Sequence, residues 1–164
     1  MKKSLVITGI FVVVLITLGI YLSQDNSKSQ VLSEDVVSEE GIHWHPHLTI
    51  YTKGQQQEIP LNIGIGTQYV NSPLYDPMMS MTDMHTHDNS GTLHWEAMQG
   101  PVKKDDVKLG VFFKIWGKQF SSNCIFDNCN GKDGSVKMIV NGKDNAEFEN
   151  YQIKDKDDIV IKFE

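Results

Sequence analysis

Six histidines occur in the 164 residues, and all of them fall in two short runs. The first is His43-Trp44-His45-Pro46-His47, and the second is His85-Thr86-His87 followed by His94. Neutral imidazole presents a ring lone pair and suits both zinc and copper. Residues two apart on a strand point to one face, about 6.5–7 Å apart. The first run therefore reads as a row of rings along one strand. If Asp88-Asn89-Ser90-Gly91 closes a hairpin, His85 lies opposite His94 and His87 opposite Thr92. His85, His87 and His94 then share a face that Glu96 continues. Three imidazoles on one face form the ligand set of a catalytic or labile zinc or copper site.

The expected ligands are His45, His47, His85, His87 and His94. Further candidates are His43, at the domain edge, with Met81, Met84, Asp88 and Glu96. Asp88 and Glu96 are short-reach acceptors of the kind that fix a ring tautomer. A single histidine is more often a hydrogen-bonded structural residue or a polar residue on an edge strand. Two clusters with none elsewhere favour metal. Met78-Met79-Ser80-Met81-Thr82-Asp83-Met84 runs directly into His85. Thioethers select copper(I), although methionines also fill gaps in cores. The expected cofactor is thus a copper or zinc ion.

The elements that must position these residues are mostly strands. Ile42 to Thr52 alternates with period two and reads as one half-buried strand, with Pro46 at an edge. Lys53-Gly54 turns the chain, and Glu58 to Ile65 is expected to return as its partner. Gly66 to Asp83 is a long irregular loop, and such loops are more often functional. Leu109, Phe112, Phe113 and Trp116 mark one helix face, ended by Gly117 and preceded by Asp105 and Asp106. Val136 to Val140 and Ile159 to Phe163 read as strands, and Asn141-Gly142 is a two-residue hairpin signal. The expectation is an α+β, mostly β-sheet domain with one main helix.

Ser4 to Ser23 is an uncharged apolar run behind Lys2 and Lys3. About 18–20 apolar residues suffice to span a bilayer as a helix, and the lysines favour a cytoplasmic N-terminus. Residues 1–23 are expected to be a single membrane anchor. The run exceeds a usual signal-peptide core and lacks a small-residue cleavage site, although a cleaved signal is the alternative. Polar, acidic residues 24–41 read as a linker, and 42–164 as a domain on the extracytoplasmic side of the cell membrane.

The chain has 21 acidic and 15 basic residues, none of the latter arginine. Bidentate contacts to phosphate and guanine rely on arginine, so nucleic acid is not an expected partner. The expected partners are the membrane, a metal ion and another membrane or exported protein. Cys124 and Cys129 suit a disulfide in an exported domain, against a rival thiolate metal pair. Their spacing is not Cys-x-x-Cys, which argues against a thiol oxidoreductase.

The order hairpin, helix, returning strands resembles the β-grasp arrangement. Val140-Asn141-Gly142-Lys143 and Asp155-Lys156-Asp157-Asp158-Ile159 resemble small sulfur-carrier proteins in particular. Those carriers end in paired glycines that are adenylated, whereas this chain ends Phe163-Glu164. The expectation is therefore the fold without the carrier activity. Three segments together resemble an uncharacterised family of exported or membrane-anchored histidine-rich proteins: Trp44-His45-Pro46-His47-Leu48-Thr49-Ile50, His85-Thr86-His87-Asp88-x-Ser90-Gly91-x-x-His94 and Leu109-Gly110-Val111-Phe112-Phe113-Lys114-Ile115-Trp116-Gly117. That resemblance implies the domain bounds and the histidine sites and names no reaction. The leading expectation is a tethered module that captures or delivers metal. One alternative is a metal-dependent enzyme on a three-histidine site, with Glu96 or Asp88 as base. The other is an interaction domain whose histidines sense pH.

Overall fold

The computed structural model describes residues 35–164. The expected membrane anchor and most of the expected linker lie outside the described residues. Among the described residues, no helix is long and apolar enough to cross a membrane. The folded unit runs from Val37 to Glu164. A short strand at its start, β1 (Val36–Ser38), falls within the segment that composition marks as linker.

The domain is mostly β-sheet with one α-helix. After β1 come β2 (Ile42–Trp44), β3 (His47–Thr52) and β4 (Gln55–Gln57). The long middle segment carries β5 (Tyr75–Asp76), β6 (Met81–Thr82), β7 (Met84–His85), β8 (His94–Ala97) and β9 (Val102–Lys103). Helix α1 (Leu109–Trp116) follows. The last strands are β10 (Cys124–Ile125), β11 (Asn128–Cys129), β12 (Val136–Val140), β13 (Lys143–Asp144) and β14 (Asp158–Phe163).

A five-stranded sheet in the order β13-β12-β14-β3-β4 forms the base of the domain. Its central pair is parallel, with Ile159 beside Leu48 and Ile161 beside Ile50. Period-two alternation puts Leu48, Ile50, Val136, Met138, Val140, Ile159, Ile161 and Phe163 in the core. Leu109, Phe112, Phe113 and Ile115 of α1 are buried in the same core cluster. Eight residues make a marginal helix in isolation. Burial supplies its stability, at roughly 1.5–3 kcal/mol for each large apolar side chain. Gly117 ends it in a left-handed conformation. Asn141-Gly142 joins β12 to β13, with Val140 opposite Lys143. β10 and β11 pair Cys124 with Cys129, and a disulfide joins those two residues.

A second sheet of three strands, β2-β8-β7, carries His43, His94 and His85. Its register pairs Trp44 with Trp95 and Met84 with Trp95. Met84 and Trp95 are fully buried, and Trp44 packs on the same core. This apolar face anchors the sheet and turns the alternate residues the other way.

Three sequence expectations give way here. Ile42 to Thr52 is two strands in two sheets. The break falls at His45-Pro46, where proline has no amide to offer a ladder and the His45 amide donates to the Asp155 carboxylate at 2.9 Å. Glu58 to Ile65 is not a strand. The partner of β3 is Gln55–Gln57, and Pro60 followed by Asn62 at φ 61° prevents its continuation. Ile59 and Ile63 are buried while Leu61 is exposed. The apolar alternation there belongs to a loop folded over the core. The expected hairpin keeps only Met84 opposite Trp95 and His85 opposite His94. Thr92 pairs with His47, not with His87.

Candidate metal centre

His94 and Glu96 lie two apart on β8, so both face away from the core. Register places His43 directly opposite Glu96 and His85 directly opposite His94. His45 follows His43, and His87 follows His85, at the same spacing. Five imidazoles and one carboxylate thus gather on the face of a small sheet opposite the one pinned by two tryptophans. The ring centroids of His43 and His45 are 4.7 Å apart, those of His45 and His94 4.8 Å, and those of His87 and His94 4.5 Å.

Two groups of donors can be drawn from this set. Ligand atoms of His85, His87, His94 and Glu96 all lie within 4.8 Å of one another, as do those of His43, His45 and Glu96. The Nε2 atoms of His85 and His87 approach to 3.2 Å. The His94 Nδ1 lies 3.2 Å from Glu96 Oε1. Zinc–nitrogen bonds of about 2.0–2.1 Å at a tetrahedral angle put donor atoms roughly 3.3 Å apart. The observed spacings have that scale. The His/Glu cluster can hold a metal ion.

The tautomer of the innermost ring is fixed by its neighbour. His85 Nδ1 lies 2.9 Å from the Thr82 carbonyl oxygen, which can only accept. Nδ1 therefore carries the proton, and the Nε2 lone pair of neutral His85 faces the cluster. A backbone carbonyl behind a ligating ring is a usual support of a metal site. The ring is fully buried. Burial lowers its pKa below the usual histidine value, against the opposing pull of the Thr82 contact and Glu96. Burial likewise lowers His94, against its hydrogen bond with Glu96. Burial works to raise Glu96, but the hydrogen bond from His94 and the nearby His85 and His43 rings, which favour the carboxylate form, together hold it below the ordinary carboxylate value. Neutral imidazoles around an ionised carboxylate are the protonation state that binds a cation.

The remaining candidates have other partners. His47 Nε2 donates to the Ser90 carbonyl at 3.0 Å, and its Nδ1 is 3.6 Å from Asp158 Oδ1. It stands apart from the five clustered rings and ties the loop 88–91 to β3. The Asp88 carboxylate accepts from the Ser90 amide at 2.8 Å, and the Ser90 side chain, followed by that amide, holds it below its usual pKa. It shapes the loop. Met84 is fully buried in the core, on the opposite face of β7 from His85. Met81 is half-buried in β6, paired with Asp76. Met78 is 94 % exposed.

Several supporting residues carry no signal in the amino-acid pattern. Thr82 is fully buried, and its carbonyl orients His85. Thr86 leaves the ladder and is held by residues 60–63, its hydroxyl donating to the Pro60 carbonyl at 2.8 Å and accepting from the Ile63 amide at 3.0 Å. This clamp closes the 60–66 segment over His85. At Gly64, φ is 81°, and a Cβ would come within 2.3 Å of Thr82 Oγ1 and 3.1 Å of His85 Cβ. Only glycine fits so close. Asp83, whose carbonyl receives the Glu96 amide at 2.7 Å, is pushed up to about 6 by burial and by Asp76 and Asp106. The only available signal was the glycine count of the segment, which does not say what approaches it.

Compared with family models, with curated proteins and with solved structures, the chain matches none.

Proposed function

We propose that this protein is a metal-binding module, tethered to the membrane through residues 1–23, that captures or delivers zinc or copper on the extracytoplasmic side. The observation that carries the reading is the convergence of His85, His87, His94 and Glu96, whose ligand atoms lie within 4.8 Å of one another. The donor set is nitrogen and oxygen. Imidazole with carboxylate suits zinc and copper(II), whereas copper(I) prefers sulfur. Met84 is committed to the core, which weakens the case for copper(I) that the methionine run suggests. The location outside the cytoplasm rests on the apolar run behind Lys2 and Lys3 and on the Cys124–Cys129 disulfide, since such bonds persist in oxidising compartments. The fold reads as β-grasp-like, from the parallel central pair β14 and β3 and the helix between the two hairpins. The histidine sheet is then an insertion between the first hairpin and that helix.

The test is a titration of the purified, tag-free chain with zinc and with copper(II), in parallel with the His85→Ala/His87→Ala variant. Tight binding that falls at least a hundredfold in the variant is the expected outcome. Binding no tighter than that of a free histidine peptide, or unchanged by the substitutions, overturns the reading. A metal-dependent hydrolytic enzyme is the second reading. It is favoured by the exposure of His43 and His45, which leaves room for water or substrate at that end of the cluster.

A further inference from the structure

The six donors of the cluster are too many for one tetrahedral ion. A tetrahedral site takes four, and His85, His87, His94 and Glu96 already supply them. His43 and His45 remain beside that set, and they share one member of it. Glu96 belongs to both groups of converging ligand atoms. Its Oε1 faces both groups, 3.1 Å from His43 Nε2 and 3.2 Å from His94 Nδ1, and its Oε2 lies 4.0 Å from His85 Nε2. A carboxylate placed between two donor groups and shared by both has the position of a bridging ligand. Ions in two-metal sites stand about 3.5–4 Å apart, a distance that one carboxylate spans. Resting on the proposed metal-binding function, we infer that the centre holds two divalent ions bridged by Glu96.

The two positions differ in kind. The inner one has four protein donors, and the His85 side chain is 1 % exposed. Four ligands close a tetrahedral ion and hold it. The outer one has three donors, His43, His45 and Glu96, and the His43 side chain is 66 % exposed. Three ligands leave a position open to water, to a small anion or to a donor atom of a partner. The inner ion is retained, and the outer ion exchanges or does chemistry. The protein positions them from separate strands. β2 brings His43 to the outer ion, β7 brings His85 to the inner one, and β8 between them carries the bridge. The His45 amide, bonded to the Asp155 carboxylate at 2.9 Å, holds the chain at the sheet switch so that His45 faces the cluster while His47 does not.

The experiment is zinc stoichiometry of the full chain by native mass spectrometry. Copper(II) electron paramagnetic resonance of the protein loaded with two equivalents accompanies it. The wild type is expected to bind two zinc ions and to show a spin-coupled copper pair. His43→Ala/His45→Ala, at exposed positions that folding does not need, is expected to bind one zinc and to give an uncoupled single-ion spectrum. Glu96→Gln is expected to lose the coupling. A wild type that binds one ion, unaffected by His43→Ala/His45→Ala, overturns the paired site and leaves the metal-binding function standing. Two ions that persist in that variant place the second elsewhere and also overturn the pairing. No bound ion overturns both.

Discussion

His85 carries the most information of any single residue. Its Nδ1 proton is held by the Thr82 carbonyl, so losing the ring removes a ligand and strands a buried acceptor. An unsatisfied buried carbonyl costs about 1–3 kcal/mol. His85→Ala is therefore expected to lower the stability of the metal-free protein by about that amount and to abolish any zinc-dependent rise in Tm. His85→Asn keeps a donor for Thr82 and should recover much of the stability without the zinc response. His47→Ala should keep the zinc response in full, because both His47 nitrogens face protein groups outside the cluster. Thermal melts of the three variants with and without zinc separate these outcomes. The metal-free protein should also respond to pH. Burial depresses the folded pKa of His85 and of His94 below the unfolded value of about 6.5. The folded state then binds fewer protons than the unfolded one, so stability rises with pH. That contribution is complete above about pH 6.5 and is lost as pH falls toward the folded values. Denaturant melts with chelator present, at pH 7.5 and pH 5.5, should show the decline, and His85→Asn should reduce it.

At the scale of elements, what was legible in the sequence was what local pattern dictates. The 3.6-residue spacing of Leu109, Phe112, Phe113 and Trp116 marks a helix, and α1 spans Leu109–Trp116. Asn141-Gly142 marks a hairpin, and β12 turns into β13 there. Period two fails where a tertiary contact decides the path. Nothing local tells that His45-Pro46 is a switch between sheets, because the Asp155 side chain that holds it lies 110 residues away. The same holds at Gly64. Its sequence neighbours Ile63 and Ile65 suggest a strand, but its place is set by the Thr82 and His85 side chains that press against it. Gly64→Ala is expected to cost about 1–3 kcal/mol, from overpacking and from a positive φ. It should also weaken zinc binding by displacing His85. Gly54→Ala shares the positive φ but meets nothing within 4 Å, so it should cost less and leave zinc binding unchanged. Comparing the two by melting and zinc titration separates a supporting wall from a plain turn.

Across the whole molecule, the ligands lie on or just beyond three strands between Ile42 and Ala97, all anchored on a core that α1 and β14 complete. Unfolding scatters the site, so metal that binds only the folded state stabilises it by RT ln(1 + [L]/Kd), about 2.7 kcal/mol at a hundred times Kd. That linkage gives a use to the disulfide. Cys124 and Cys129 lie in the β10–β11 hairpin after the helix, and neither sulfur belongs to the donor groups of the cluster. Closing so short a loop restricts the unfolded chain by about 2 kcal/mol. Cys124→Ser/Cys129→Ser should thus lower the stability of metal-free and zinc-loaded protein by the same amount, about 2 kcal/mol in both. Zinc stoichiometry and affinity should stay at the wild-type level. Distant, independent contributions add in this way, whereas contributions that share partners do not. A double substitution that instead reduced zinc affinity would mean that the β10–β11 hairpin is coupled to the histidine sheet through the core. Metal capture would then report on the redox state of the compartment as well as on the ion.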